Sequence, residues 1–215
     1  MSIKQNVESV NERIKKAAES AGKNYEDIKL LVATKYADVE QIKELIGSGI
    51  KVIGENRVQE ADNKFQQLPD VEKHMIGHLQ SNKAKLAVKI FDVIQTIDSL
   101  KIAKEVNKRA FEINKIMPVF IEVNVSGEES KYGINAEEVS DFYNKLVKLT
   151  NLKVDGLMTI APLAEAEESR ICFKKLKQIN NELGLKYLSM GMSNDFEVAI
   201  EEGSNLLRLG RIFFR

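Results

Sequence analysis

The sequence predicts an α/β fold: a single-domain (β/α)8 TIM-like barrel with an extra N-terminal helix. Short apolar runs of strand length alternate with amphipathic segments of helix length, which is typical of parallel strands joined by helices. About eight such units fit into the 215 residues, at the short end of the range for this barrel. Neither a linker nor a low-complexity tract divides the chain, so residues 1–215 are expected to form one domain. An open doubly wound sheet is the alternative.

The composition limits the classes of partner. The chain has 32 basic and 32 acidic residues, so no net electrostatic field favours nucleic acid or an anionic membrane. The sequence has no apolar run of membrane-spanning length and no apolar signal region at its N-terminus. Cys172 is the single cysteine and cannot form an internal disulfide, which favours a reducing compartment. We therefore expect a cytoplasmic protein.

The first half of the chain supplies the extra helix and four strand–helix units. Apolar residues at steps of three and four from Ile3 to Ala21 predict an amphipathic helix that Gly22 ends. Short apolar runs predict strands at 29–35, 51–54, 74–77 and 93–97. The segments at about 39–46, 57–66, 82–90 and 99–114 predict the helices that follow, the last capped by Asp98 or Ser99.

The second half continues the alternation. The fifth strand, at 117–125, is rich in valine and isoleucine, which favour strands. A polar, glycine-bearing loop at 126–133 follows, and Asn135 is expected to cap a helix that reaches about residue 149. A strand at 154–158 leads through Pro162 into a helix that ends near Gly184. A strand at 185–190, a helix at 193–202 and a strand at 206–209 complete the barrel.

The first predicted strand ends in Lys35, after an apolar run. A lysine there can extend its amine to water, or hold it near an apolar pocket, where it acts as a nucleophile toward a carbonyl. Functional residues of these barrels lie at the C-terminal ends of the strands, so Lys35 is a candidate nucleophile. Tyr36 beside it is expected to point to the opposite face of a regular strand.

Asn56 and His78 also follow strand ends, those of the second and third strands, and are expected to meet Lys35 at one rim. Each has a structural explanation too, because Asn56 could cap a helix and His78 could be a hydrogen-bonded structural residue. His74 and His78 could share a strand face, but no third metal ligand stands at a suitable spacing. We do not expect a metal site.

The seventh and eighth strands predict a phosphate site. The segment around Met190 and Gly191 is a glycine turn that is expected to open a helix at Ser193, whose free N–H groups can bind an anion. Ser193 could instead simply cap that helix. Gly210 and Arg211 bring further backbone N–H groups to the next strand end, and barrels often bind phosphate between these two strands.

Arg208 is a charge inside an apolar strand. It lies on the face opposite Leu207 and Leu209, and therefore points either into the barrel mouth or out beneath a helix, where a glutamate could pair with it. The loop at 126–133 could close over the same rim, although surface loops commonly have such a composition.

With these segments in place, the sequence resembles the YggS/PROSC family of pyridoxal phosphate homeostasis proteins, relatives of the barrel domain of alanine racemase. The resemblance runs nearly end to end, and the motifs that carry it occur in one order. They are VATK at 32–35, GENRVQE at 54–60, HMIGHLQSNK at 74–83, NVSGE at 124–128 with KYG at 131–133, GLMTIA at 156–161 and LSMGMS at 188–193.

The resemblance implies that Lys35 forms a Schiff base with pyridoxal 5′-phosphate (PLP). It also implies that Ser193 and the backbone at Gly210 and Arg211 hold the phosphate. The family usually has a threonine where Arg211 stands, so a hydroxyl contact would be absent here, and the guanidinium could substitute for it.

The ring would be held by four further residues. The resemblance implies that Arg208 faces the pyridine nitrogen and that Asn56, His78 and Met190 complete the cofactor site. An arginine keeps its charge and does not readily protonate the ring nitrogen, which weakens the cofactor as an electron sink.

The resemblance implies a protein of intracellular PLP homeostasis, a buffer or carrier without robust catalysis. Apo-enzymes that use PLP are the expected recipients, and a monomer is the expected form. Alanine racemase also takes a catalytic tyrosine from a second domain, which we do not expect in this chain. The alternative is a PLP-dependent amino-acid racemase that works from the barrel alone.

Overall fold

The computed structural model describes residues 2–128, 131–162 and 165–214. Nine strands lie in one sheet. They are β1 (Lys29–Ala33), β2 (Val52–Glu55), β3 (Glu72–Met75), β4 (Val93–Ile97), β5 (Met117–Asn124), β6 (Ile134–Asn135), β7 (Leu152–Met158), β8 (Tyr187–Ser189) and β9 (Leu206–Leu209).

Eight of these strands close into a parallel barrel. Neighbours pair in the order β1, β2, β3, β4, β5, β7, β8, β9, and β9 pairs again with β1. The two-residue strand β6 pairs with the end of β5, outside this ring. The predicted barrel is therefore confirmed, and the alternative of an open sheet is wrong.

Helices surround the barrel. They are α1 (Ile3–Ser20), α2 (Val39–Gly47), α3 (Val58–Phe65), α4 (Ala84–Ile90), α5 (Leu100–Glu112), α6 (Val139–Leu146), α7 (Ser169–Leu183) and α8 (Phe196–Glu201). In the described part of the chain, β9 is followed by a short 3-10 turn, Arg211–Phe213. The extra helix α1 packs against α8 and α2 and so takes the remaining place in the outer ring.

Alternation along the strands separates two apolar clusters, and it is interrupted in β4 and β7, where the pairing with β5 is irregular. One face of each strand packs against the helices in a large outer core, which includes Val32, Leu207 and Leu209. The other face fills the barrel, where Leu31 and Phe120 belong to a smaller inner core. Side chains alternate between the faces of a strand, so the odd-numbered residues of β1 and the even-numbered residues of β9 point inward.

Several predicted boundaries are wrong by two or three residues, and three elements near the site matter most. β1 ends at Ala33, and Lys35 and Tyr36 lie in a turn rather than in the strand. β3 begins and ends two residues earlier than predicted, at Glu72–Met75. The helix expected to begin at Ser193 begins at Phe196 instead.

None of the helices in the described part of the chain has the length and apolar character that a membrane crossing needs.

Close packing between β7 and β8 leads to a first prediction. A Cβ atom added at Gly156 would lie 2.5 Å from the carbonyl oxygen of Tyr187, and neither backbone can yield without disturbing the barrel. We expect Gly156→Ala to lower the free energy of unfolding by about 1–3 kcal/mol, the usual cost of overpacking. Denaturation with urea measures this.

The control is Gly47→Ala at the end of α2, where an added Cβ would meet nothing within 4 Å. Alanine is the better helix former, so this variant is expected to be neutral or slightly stabilised. Equal stability of the two variants would contradict the prediction.

Candidate functional site

The C-terminal ends of the barrel strands surround a cavity of about 350 Å³. Six of the eight residues predicted for the site line it, namely Lys35, Asn56, Ser193, Arg208, Gly210 and Arg211. Ala33, Ile76, Ile160, Ala161 and Pro162 supply apolar wall, and Lys131, Met192, Asn194 and Asp195 complete the lining. The cavity thus combines an apolar wall with convergent charged and polar groups, as small-molecule sites do.

Lys35 stands at the open side of this cavity. It lies in the turn after β1 and is exposed. Its Nζ lies 4.8 Å from the centre of the Tyr36 ring, a cation–π contact. The expectation that Tyr36 points away from Lys35 is therefore wrong, because the strand has already ended at Ala33 and its alternation no longer applies.

A buried ion pair fixes the backbone next to Lys35. The carboxylate of Glu55, fully buried, accepts hydrogen bonds from Lys64 Nζ at 2.7 Å and from Thr34 Oγ1 at 3.0 Å. Lys64 Nζ also donates to the carbonyl oxygen of Thr34 at 2.9 Å. The ends of β1 and β2 are thereby tied together, and Lys35 and Asn56, which follow them, are held at a fixed separation.

Asn56 lies against Gly77, and this contact explains the glycine. A Cβ atom at position 77 would lie 2.3 Å from the carbonyl oxygen of Asn56, closer than atoms of these types can approach. Asn56 does not cap the following helix: α3 has Arg57 as its N-cap residue and no side-chain cap bond. Its side chain is half-buried at the cavity wall.

The turn after β8 forms the opposite wall. The carboxylate of Asp195 accepts the backbone N–H of Met192 at 2.6 Å, and the turn through Ser193 and Asn194 precedes the six-residue helix α8. Ser193 therefore neither begins nor caps that helix. The backbone N–H groups of Ser193 and Asn194 make no hydrogen bond to another described residue and remain available to an anion.

Gly210, directly after β9, packs against the end of β1. A Cβ atom there would lie 3.2 Å from the carbonyl oxygen of Ala33, so a side chain would crowd the strand end that leads to Lys35. Arg211 is exposed and begins the 3-10 turn after β9. Glycine thus keeps the gap between the lysine turn and Arg211 open.

Arg208 points into the barrel mouth, one of the two orientations that the sequence leaves open. It is 6% exposed. Its Nη1 donates to Ser189 Oγ at 2.8 Å and its Nη2 donates to the carbonyl oxygen of Thr159 at 2.7 Å. Burial lowers its pKa to about 10, while the nearby carboxylates of Glu122 and Asp195 oppose that shift. The guanidinium is therefore charged at neutral pH.

Glu122 of β5 is a buried carboxyl of the same interior. Burial raises its pKa to about 7; repulsion by Asp98 adds to this shift, and attraction by Arg208 opposes it. Its Oε2 has no hydrogen-bond partner among the described residues. An unpartnered buried carboxylate is costly, so the protonated form is favoured up to neutral pH.

Two predicted residues do not line the cavity. Met190 is fully buried in the outer core. His78 lies at the outer edge of the mouth, where its Nδ1 is 3.1 Å from Asp98 Oδ2 and its ring stacks on Tyr132 with 4.2 Å between the centres.

The loop at 126–133 contributes to the mouth in its described part, since Lys131 lines the cavity and Tyr132 covers His78. Residues 129 and 130 of this predicted lid lie outside the described residues.

Sequence reasoning missed the groups that support the site. Lys64 lies on α3, Ser189 on β8 and Thr159 after β7. Lys64 and Thr159 are not adjacent in sequence to a predicted ligand, and Ser189 directly precedes Met190 without having been selected. Only the burial of polar residues in the middle or at the end of apolar strands could have pointed to Ser189 and Thr159.

Comparison with known proteins shows to which family the chain is related. A family model described as the N-terminal domain of alanine racemase matches residues 3–215. A pyridoxal phosphate homeostasis protein of Aquifex aeolicus is 45% identical over 214 residues, which cover 95% of this chain and 94% of that protein. The chain belongs to the pyridoxal phosphate homeostasis proteins of the alanine racemase N-terminal domain family.

Solved structures agree with this family assignment. An unknown protein of Bifidobacterium adolescentis superimposes with a TM-score of 0.95 at 34% identity, over 99% of this chain and 94% of that one. PipY of Synechococcus elongatus, solved with PLP bound, gives a TM-score of 0.87 at 30% identity over the whole of both chains. Alanine racemase of Clostridium difficile shares the fold at 17% identity with a TM-score of 0.75, and the match covers 99% of this chain and 56% of that one.

The buried ion pair of this family member gives a second prediction. Lys64→Ala would leave the Glu55 carboxylate fully buried with Thr34 as its remaining side-chain donor. Removing one partner of a buried pair is strongly destabilising, so we expect a loss of about 3 kcal/mol in the free energy of unfolding. Lys43→Ala breaks the exposed pair with Glu40 and should cost less than about 1 kcal/mol. Similar losses in the two variants would show that the ion pair between Lys64 and Glu55 does not stabilise the strand ends.

Glu122 gives a third prediction. Since its folded pKa of about 7 lies above the ordinary glutamate value of 4.5, the folded state binds more protons between these pH values. Stability from this group is then complete below about pH 4.5 and is lost as pH rises through 7, about 3 kcal/mol in all. Glu122→Gln carries no such titration. We expect its free energy of unfolding to rise relative to wild type by about that amount between pH 4.5 and 8.

The control for this pH series is Glu8→Gln, an exposed position on α1, which should run parallel to wild type. If Glu122→Gln also ran parallel, the buried carboxyl would be ionised throughout.

Proposed function

We propose that this protein binds PLP covalently through Lys35 and acts as a buffer or carrier in intracellular PLP homeostasis. The single observation that carries the proposal is the cavity with an exposed lysine amine on one side and unpaired backbone N–H groups on the other. Relatives of the same length are pyridoxal phosphate homeostasis proteins, and PipY was solved with PLP bound.

The cavity suits the two ends of such a molecule. PLP supplies an aldehyde that condenses reversibly with a lysine amine, and a phosphate ester that carries most of its charge. A cavity of about 350 Å³ lies within the usual range for small ligands. Gly210 leaves space where a Cβ would crowd Ala33.

The phosphate would be held between the turn after β8 and the residues after β9. Ser193 can donate hydrogen bonds from its hydroxyl and its backbone N–H. Gly210 and Arg211 can donate from their backbone N–H groups. The exposed guanidinium of Arg211 lines the cavity and can add a charge-assisted hydrogen bond in place of a hydroxyl.

The ring would lie between the two ends. Arg208 would face the pyridine nitrogen, and the half-buried Asn56 would contact the ring from the second strand end. His78 and Met190 lie outside the lining, so we assign them a supporting role: His78 at the mouth and Met190 behind the turn after β8.

A carrier fits these groups better than an enzyme does. Arg208 is charged at neutral pH, since its pKa is about 10, and two of its donors are already engaged by Ser189 and Thr159. It would therefore hold the ring without protonating it, and a cofactor whose ring nitrogen stays unprotonated is a poor electron sink.

We further infer a cytoplasmic monomer that passes PLP to apo-enzymes. The reducing cytoplasm suits Cys172, a partly buried thiol whose pKa is raised by burial. The outer ring of helices leaves the barrel covered without a partner chain.

Attachment at Lys35 is the fourth prediction. After incubation with PLP and reduction with borohydride, intact-protein mass spectrometry should show one added pyridoxyl phosphate group, which peptide mapping places on Lys35. Lys35→Ala should lose the adduct and its visible absorbance. Lys85→Ala, an exposed lysine of α4, should retain both. An adduct that maps to another lysine would refute the proposed site.

Absence of turnover is the fifth prediction. The PLP-loaded protein, incubated with L- or D-amino acids in deuterium oxide, should show neither sustained change of chirality nor exchange at the α-carbon. An amino-acid racemase would serve as the positive control. Catalytic turnover that disappears in Lys35→Ala would instead establish the racemase alternative.

A further inference from the structure

A continuous chain of hydrogen-bonded side chains runs along the inside of the barrel and ends at Arg208. At the mouth, Arg208 Nη1 donates to Ser189 Oγ, and Ser189 Oγ donates to Gln95 Oε1 at 2.6 Å. The amide nitrogen of Gln95 lies 2.6 Å from His74 Nδ1. Gln95, His74 and Ser189 are each at most 1% exposed, so they can satisfy one another but not reach water.

The chain continues to the opposite end of the barrel. His74 Nε2 lies 2.8 Å from Glu72 Oε1, and Lys29 Nζ donates to Glu72 Oε2 at 3.1 Å. The hydrogen bond from His74 is the main cause that lowers the pKa of Glu72 to about 2. Glu72 and Lys29 are partly exposed and line a second cleft of about 400 Å³ at this end. The series of hydrogen bonds therefore ends on the ionised carboxylate of Glu72, at the end of the barrel opposite the candidate site.

From Arg208 to Glu72, the donors of these hydrogen bonds all point the same way. Since the carbonyl of Gln95 accepts from Ser189, its amide N–H donates to His74, and Nδ1 must then carry no proton. The ring proton is placed on Nε2, where it is donated to Glu72. The reverse orientation of Gln95 would require protons on both ring nitrogens, and burial, which lowers the pKa of His74, opposes that charge.

We propose that Gln95 and His74 are positioning residues for Arg208: the neutral Nε2–H form of His74 orients the Gln95 amide, which orients the Ser189 hydroxyl and leaves its oxygen free to accept Arg208. The guanidinium is thereby held toward the cavity. This inference rests on the proposed function, in which Arg208 faces the pyridine nitrogen of bound PLP.

The expected effect of a substitution follows from the hydrogen bonds that it removes. Gln95→Leu removes the bonds of Gln95 to Ser189 and to His74. The Ser189 hydroxyl can then rotate and donate elsewhere, and Arg208 loses a fixed acceptor. One neutral hydrogen bond contributes about 1 kcal/mol, so bound PLP should be released roughly five-fold faster. Gln95→Glu keeps the size and the acceptor for Ser189 but presents a second carboxylate oxygen to Nδ1, which recruits a proton to His74.

The first experiment uses the protein without PLP. Side-chain ¹⁵N chemical shifts of His74 should report the neutral Nε2–H form at pH 7 in wild type and a doubly protonated ring in Gln95→Glu. A proton on Nδ1 in wild type, or no change in Gln95→Glu, would overturn the inference. His78 is the other histidine of the chain and should keep its own shifts in both proteins.

The second experiment uses the PLP-loaded protein, with release followed by trapping free PLP with excess hydrazine. Gln95→Leu should release PLP roughly five-fold faster and shift the absorbance of the bound cofactor. Arg208→Gln should abolish the further effect of Gln95→Leu, because a residue that acts through Arg208 has nothing left to position. Asn180→Leu removes a buried amide of α7 that bonds only to Leu185 among the described residues and controls for general loss of stability.

The possible failures are distinguishable. If wild type forms no adduct at Lys35, the proposed function fails, while the His74 spectrum still decides the orientation of the chain. If the adduct forms but Gln95→Leu and Gln95→Glu both release PLP at the wild-type rate with an unchanged spectrum, the positioning role is refuted and the proposed function stands. Equal effects of Gln95→Leu with and without Arg208 would equally refute it.

Discussion

The burial of one guanidinium constrains the whole interior of this barrel. Arg208 is held among the inner faces of the strands, where a charge without acceptors would be strongly destabilising. Its donors therefore need polar partners on neighbouring strands, and the carbonyl of Thr159 and the hydroxyl of Ser189 provide them. Ser189 in turn needs Gln95 as its acceptor. A barrel of this size is otherwise filled by apolar layers, so the polar column along its axis follows from this one charge.

The same constraint divides the site into a rigid half and an accessible half. Arg208 and its partners are buried and engaged, whereas Lys35, Ser193 and Arg211 reach solvent at the rim. Lys35 owes its position to the backbone before it, which Glu55 and Lys64 tie to the next strand. Its own amine contacts only the ring of Tyr36 among the described residues. Such an arrangement fixes where an aldehyde is met while leaving the amine free to react.

Much of this could be predicted from the sequence, because alternation of strands and helices determines the barrel, and the barrel determines which strand ends share a rim. The position of Lys35, Asn56 and Gly210 at that rim follows from this logic, whereas the sequence left Arg208 with two possible orientations, into the barrel mouth or out beneath a helix. The predicted start of α8 was wrong because Asp195 accepts a hydrogen bond from the N–H of Met192, and the helix begins only at Phe196. The partners of Arg208 were missed because they come from strands far apart in sequence, and no local pattern reports which inward side chains reach each other across a barrel.

Lys35, the proposed attachment residue, follows the first strand, and Arg208 lies on the last. The barrel is complete only when β9 pairs with β1. During synthesis on the ribosome, Lys35 therefore emerges long before the groups that would retain a ligand beside it. In a nascent chain, Lys35 is therefore expected to have no higher affinity for an aldehyde than the other lysines have. Under the proposed function, selective binding of PLP would begin only when the barrel closes, so the folding of the final strand would also complete the binding site.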